Sequence, residues 1–221
     1  MEDGQAFARA AGAYPGVLMT TSEPALLEAD LESDPHRQFE RWLSEATASG
    51  ERMANAMNLA TASAAGVPSA RMVLLERVDS EGFVFQTNTE SPKARELAAN
   101  PHAALTFFWP ILLRQVRVRG TVEVLPRSVV EEFFAATPFP LQVMLRACRQ
   151  SEVIPDRATL ERSFAKALGS GETDVPWDWG AYRLRAESIE FWQGRENRLQ
   201  DRLRYTRVWD GTTWRIERLV P

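Results

Sequence analysis

From Ala56 onward the apolar pattern of this chain changes period, and that change narrows its fold more than any other feature. AMNLATA, SARMVLLERV and GFVFQTN are short apolar runs separated only by AAGVP and DSEG. Runs of this length between Gly- and Pro-bearing turns read as strands linked by hairpins. HAALTFFW and RQVRVRGTVEVL add two more. In the second, Val116 and Val118 alternate with Arg117 and Arg119, which gives one dry face and one wet face. AYRLRAESIEFWQ, RLRYTRVW and TWRIERLV close the chain, and the WDGTTW turn carries an Asp-Gly hairpin signal. Six or seven antiparallel strands with helices between them predict an α+β protein built on a small barrel.

The helical segments carry their own punctuation. Asp34 followed by Pro35 predicts a helix start, and Phe39, Trp42, Leu43 and Ala46 follow at helical spacing to about Ser49. Ser91 with Pro92 opens a short helix through SPKARELAAN. Ser128 and Glu131 read as a capping box before VVEEFFAAT. Residues 139–150 read as helical, and Pro155-Asp156 opens a last helix closed by Gly169. Residues 1–33 have weak periodicity and read as an N-terminal arm, partly ordered at best, leaving 34–221 as one domain.

Charge and cysteine usage then remove whole classes. The net charge of −4 gives no global field for nucleic acid or acidic lipid. One cysteine, Cys148, excludes a disulfide framework within the chain, and the two histidines, His36 and His102, are too few for a histidine-rich metal cluster. No basic leader and no run of about 18 apolar residues occurs. These features predict a cytoplasmic protein with no metal, no nucleic-acid partner and no membrane span.

Three places could hold an anion. Arg71 leads the apolar strand RMVLL, where a charge needs a partner. The stretch TNTESPK ends a strand at Thr87 and starts a helix with Lys93 in its first turn. Lysine there opposes the helix dipole unless an anion lies between them. The third is FWQGRENRLQDRLRYTR, with Arg195, Arg198 and Arg202 behind Trp192. Taken alone, that arginine run is equally a solvated rim.

The ordered set RMVLLE, VFQTN, SPK, RQV, RQS, FWQGRENRLQDR and RLVP resembles the pyridoxamine 5′-phosphate oxidase family of FMN enzymes. The resemblance runs from about Asp34 to Pro221. It implies an FMN-binding split β-barrel homodimer with peripheral helices and flavin at the subunit interface. On that resemblance Arg71, Met72, Val73, Leu74 and Leu75 line the flavin strand. Gln86, Thr87 and Lys93 flank the phosphate, and Gln115 reaches the ring system. Gln150, Ser151, Trp192 and Arg202 are implied to come from the partner subunit.

The departures fall on the substrate side. The family pattern has a lysine where Glu76 stands, and a tyrosine, an arginine and a serine where Phe133, Thr137 and Leu141 stand. The histidine of its R-L-H-D-R segment is Gln200, while Arg198 is kept. A phosphate dianion losing cations and hydroxyls costs several kcal/mol in affinity, on the order of 1 kcal/mol or more for each contact. The expectation is a hydrogen-peroxide-forming, O2-using flavin oxidase for another small anionic metabolite, aromatic or with a reduced ring. Arg198 and Gln200 would hold its polar groups. CRQSE resembles the phenazine-biosynthesis branch of the family. A pyridoxamine or pyridoxine phosphate oxidase with a remodelled site, and a non-catalytic barrel binding flavin, deazaflavin or heme, are the alternatives.

Overall fold

The computed structural model describes residues 25–221 apart from 173, 196, 197, 210 and 212. Eight strands form one antiparallel sheet: β1 (Ala56–Ala62), β2 (Pro68–Asp79), β3 (Gly82–Asn88), β4 (His102–Trp109), β5 (Arg114–Val124), β6 (Trp179–Gln193), β7 (Asp201–Arg207) and β8 (Trp214–Arg218). The order is β3-β2-β1-β4-β5-β6-β7-β8, and β3 also pairs with β6. That extra pairing closes six strands into a barrel and leaves β7 and β8 as an extension of β6. Each of the eight apolar runs forms a strand, one more than the count of six or seven.

Two glycines let β6 sit between β3 and β5. A Cβ on Gly82 (φ 153°) would collide with the Leu184 carbonyl, and one on Gly120 with that of Arg185. Gly120 lies at a register shift against β6, where the strand bends.

Five helices surround the barrel: α1 (Pro35–Ala48), α2 (Pro92–Ala99), α3 (Arg127–Ala136), α4 (Phe139–Ala147) and α5 (Arg157–Ser170). Asp34 caps α1 by accepting from the His36 amide at 2.9 Å. Phe39 and Trp42 of α1 plug one end of the barrel. Phe39 meets Phe83 and Phe107 at ring distances of 4.9 and 4.7 Å, and Trp42 meets Phe191 edge-on at 5.1 Å. Each such ring contributes roughly 1.5–3 kcal/mol by leaving water.

Two helix boundaries differ from the sequence reading. The α3 N-cap is Pro126, with no side-chain cap, so Ser128 lies inside the helix and no capping box forms. Helix α5 runs past Gly169 and ends on Gly171, which takes the left-handed conformation at φ 65°. Only a residue with that backbone geometry ends the helix there, and Gly169 does not have it. Residues 25–33 are not a loose arm: Leu26 is buried and Glu28–Asp30 form a 3-10 turn. Residues 1–24 of the expected arm lie outside the described residues. Among the described residues no helix is long and apolar enough to cross a membrane.

His36 is buried against Phe83 and Trp214. Its Nδ1 lies 3.0 Å from Asp34 and its Nε2 has no partner. Burial lowers its pKa, opposed by Asp34 and Asp79 and assisted by Arg207. The unfolded chain, with a histidine pKa of about 6.5, takes up the proton first as pH falls. Stability should therefore hold above about pH 6.5 and decline below it. His36→Phe should flatten that decline in Tm measured from pH 7.5 to 5; an unchanged slope would assign the acid sensitivity elsewhere.

Candidate functional site

The mouth of the barrel beside α2 gathers two cations. Ser91 occupies the N-cap position of α2, but its hydroxyl donates to the Asn88 carbonyl at 2.7 Å and leaves the helix uncapped. Lys93 leaves the first turn and is buried. Its Nζ donates to Thr87 Oγ1 at 3.0 Å and Gln150 Oε1 at 2.8 Å. Both partners are uncharged. Burial, and then the nearby Arg71 charge, pull the Lys93 pKa down to about 8 against the opposing pull of Glu96. A buried ammonium with neutral acceptors next to a helix N-terminus is set up to receive an anion.

Arg71 lies opposite Leu59 in the β1–β2 register. Its guanidinium donates to the Leu59 carbonyl (3.1 Å), Thr61 Oγ1 (2.5 Å), Ser69 Oγ (2.6 Å) and Glu96 Oε2 (3.3 Å). The partner this charge required is thus Glu96. Hydrogen bonds from Ser69, then Thr61, and the Arg71 charge hold the Glu96 carboxyl below its ordinary range. Glu96, Ser69 and Thr61 were not singled out from the sequence. Glu96 stands three residues after Lys93 on the same helix, and that spacing was the available signal.

Gln150, which the resemblance assigns to the partner subunit, reaches Lys93 and Thr87 of its own chain. Ser151 follows in the left-handed region at φ 70°, in a cleft of about 370 Å³ with Asn88, Arg149 and Trp177. Gln86 faces away from this cluster and accepts from Trp179 Nε1 at 2.5 Å.

A second group lies on the outside of the barrel. Phe108, Gln115, Trp192 and Arg202 form one cross-strand row over β4, β5, β6 and β7. Met72 and Leu74 of β2 are exposed, whereas Val73 packs on the core and Leu75 is buried. Arg202 donates to Glu190 Oε1 and the Val220 carbonyl, both at 2.9 Å.

A third group sits on α3 and α4. Thr137 spends its hydroxyl on the Phe133 carbonyl at 2.9 Å, and Leu141 is half exposed. Arg77 stacks its guanidinium 5.2 Å above the Phe133 ring and pairs with Glu132 at 3.1 Å. A register shift between Leu75 and Arg77 leaves Glu76 and Arg77 on one groove with Ser44 and Asn55. The Glu76 carboxylate has no hydrogen bond or ion pair among the described residues, and desolvation raises its pKa.

Arg198 takes a left-handed backbone at φ 62°, and its amide donates to the Arg195 carbonyl at 3.1 Å. Gln200 Oε1 accepts from the Arg195 amide at 2.5 Å, so this side chain fastens the turn that carries Arg198.

Comparison with known proteins decides the family. The pattern described as pyridoxamine 5′-phosphate oxidase matches residues 43–170, and the pattern described as the pyridoxine 5′-phosphate oxidase C-terminal dimerisation region matches 179–221. The chain belongs to the pyridoxamine 5′-phosphate oxidase family. A pyridoxine/pyridoxamine 5′-phosphate oxidase of Burkholderia vietnamiensis is 48% identical over 203 residues, spanning 90% of this chain and 95% of that one. Among solved structures, PhzG from Burkholderia lata 383, in complex with tetrahydrophenazine-1-carboxylic acid, superposes with a TM-score of 0.84 at 30% identity. The match covers 91% of this chain and all of PhzG. A related FMN-binding protein from Nostoc punctiforme, at 17% identity and a TM-score of 0.71, shares the fold. The protein is therefore a flavoprotein oxidoreductase with the family's split barrel, and its last three strands lie in a region that makes homodimers.

The burial of Lys93 has a measurable cost. In flavin-free protein its removal should help, because Thr87 Oγ1 and Gln150 Oε1 already bond each other at 3.0 Å. Lys93→Met should leave the flavin-free Tm equal or raise it by about 2–4 °C, on the order of 1 kcal/mol for a domain of this size. A fall of several degrees in a thermal melt would mean that the lysine's hydrogen bonds outweigh its desolvation.

Proposed function

We propose that this protein is an FMN-dependent oxidase whose substrate is a small anionic metabolite, aromatic or with a reduced ring, and not a pyridoxine phosphate ester. The mouth cluster of Arg71, Thr87, Lys93 and Gln150 fits the FMN phosphate, because Lys93 is buried with only neutral acceptors. The outer row of Gln115, Trp192 and Arg202, with Met72 and Leu74, offers a flat, partly apolar wall for the ring system. In the homodimer these outer faces would meet. When bound, FMN supplies the redox chemistry, taking a hydride from the substrate and handing the electrons to O2 with release of hydrogen peroxide.

The observation that carries the substrate reading is what stands on α3 and β2. Phe133 lies under the Arg77 guanidinium, Thr137 has its hydroxyl committed to its own helix, and Leu141 has no polar group. Glu76 adds an unpartnered carboxylate nearby. Such a surface suits a planar apolar ring, and its α3–α4 side chains offer a phosphate dianion no free hydroxyl. Arg198, projecting from its fastened turn, would orient a carboxylate on the other end of the substrate. The tricyclic acid named for PhzG has this chemistry, a reduced ring with one carboxylate.

Arg77 favours a second reading. It places a cation one residue after Glu76 on the same groove, where it could replace the family lysine in a true pyridoxine phosphate oxidase. Oxygen uptake by FMN-loaded protein separates the two. Losing about 4 kcal/mol of phosphate recognition lowers kcat/KM roughly a thousandfold. Pyridoxine 5′-phosphate should therefore be turned over at about a thousandth of the efficiency of an ordinary family member assayed beside it. Efficiency within tenfold would establish the second reading.

A further inference from the structure

The arginine-rich C-terminal stretch is neither a rim nor, for the most part, a ligand pocket. Arg202, Arg204 and Arg207 bond within the sheet and its turns, and Asp201 and Tyr205 meet a strap formed by residues 26–32. Asp201, buried at the start of β7, is the junction. Its Oδ2 accepts from the Leu26 amide at 3.2 Å and lies 3.4 Å from Arg195 Nε; its Oδ1 accepts from Arg218 Nη1 at 2.9 Å. Arg218 in turn donates to Glu28 through Nε and Nη2, both at 2.9 Å, and to the Leu26 carbonyl at 2.7 Å. The strap's other end is equally held. Tyr205 donates to the Glu32 carbonyl at 2.7 Å, and Arg41 of α1 donates to the Asp30 carbonyl at 3.0 Å.

We infer that the strap is a positioning device for the substrate end of the site: Glu28 and Arg218 lock Asp201, and Asp201 with Gln200 locks the turn that presents Arg198. The geometry requires this chain of contacts. Arg198 holds a left-handed backbone at φ 62°, a conformation that a residue with a Cβ adopts only against steric strain. The turn keeps that conformation through two contacts to the Arg195 backbone, from the Arg198 amide and from Gln200 Oε1. Arg195 is anchored in turn by Asp201. Without the strap, Asp201 loses a backbone donor and Arg218 loses Glu28. The carboxylate that pairs with Arg195 at 3.4 Å is then less firmly placed. Asp201, Glu28 and Arg218 touch none of the reacting groups; they act through Arg198.

The substrate consequence rests on the reading of Arg198 as the carboxylate anchor, whereas the mechanical claim does not, and the test separates them. Amide exchange of residues 198–202 in the FMN-loaded dimer reads the turn directly. Glu28 is exposed, so Glu28→Arg should fold. Repelling Arg218, it should speed that exchange about fivefold, the scale of a partly exposed ion pair. Restoring the pair in reverse, with Glu28→Arg and Arg218→Glu together, should return exchange to within about twofold of the parent. Glu217→Gln, which breaks the neighbouring Arg204 pair on β7 and β8, should leave it unchanged. Parent-like protection in Glu28→Arg, or equal loosening in Glu217→Gln, would overturn the inference. In parallel, phenazine-1-carboxylate is titrated against the flavin absorbance. Weaker binding in Glu28→Arg, recovered in the swap, is the expected result. A loosened turn with parent-like binding would overturn the substrate part of the inference. If the parent protein does not bind this probe, the substrate reading above fails, while exchange still decides the strap.

Discussion

Pairing of β3 with β6 is the constraint on which the rest of the molecule depends. The register from Phe83 opposite Leu184 to Asn88 opposite Trp179 closes the barrel. It also brings the end of β3, Thr87 and Asn88, against the first turn of α2 and the α4–α5 connection. Only in that closed form does Lys93 lose water while gaining Thr87 and Gln150. The glycines at 82 and 120 are the local condition for closure, because β6 passes too close to both neighbours for a Cβ. The Lys93 cation is thus held by barrel topology, with hydrogen bonds that span 57 and 6 positions in sequence.

The two ends of the site are built on different principles. At the mouth, charge is kept and left unneutralised at Lys93, while Arg71 is balanced by Glu96. Buried charge is retained where a ligand would compensate it, and the unliganded fold bears the cost. At the substrate end the polar groups are either absent or already committed: Thr137 to the Phe133 carbonyl, Gln142 to the α3 C-terminus, Gln200 to its own turn. An incoming phosphate finds few free donors there. On the proposed reading, the family frame would combine an anion site suited to the FMN phosphate with a more apolar substrate surface.

Much of this was legible in the sequence, for physical reasons. All eight strands were readable because short apolar or alternating runs between Gly-, Pro- and Asp-bearing turns report a buried or half-buried surface directly. Lys93 was readable because a lysine in a first helical turn contradicts the helix dipole. The errors have equally specific causes. Ser128 and Glu131 have capping-box spacing, yet Pro126 starts the helix earlier. Gly169 and Gly171 are alike in sequence, and only the backbone shows which one is left-handed. The docking of residues 25–33 depends on Asp201 and Arg218, contacts between positions up to 192 apart. Motif order carries no information on which chain supplies a residue, so the contacts of Gln150 within its own chain could not be read from it. Among the arginines, the acidic residues Glu190, Asp201 and Glu217 were the available hint that most of the run is internally paired.

The central claim is that Lys93 is kept buried and unneutralised for the terminal phosphate of FMN. Riboflavin has the same ring system and lacks that phosphate, so the comparison isolates it. Fluorescence titration of flavin-free protein at pH 7, below the Lys93 pKa of about 8, should show FMN binding roughly 100-fold tighter than riboflavin, about 2.7 kcal/mol. In Lys93→Met that preference should collapse to about tenfold or less while riboflavin affinity stays the same. Equal affinity for the two flavins in the parent protein, or a preference that survives the loss of Lys93, would contradict the account.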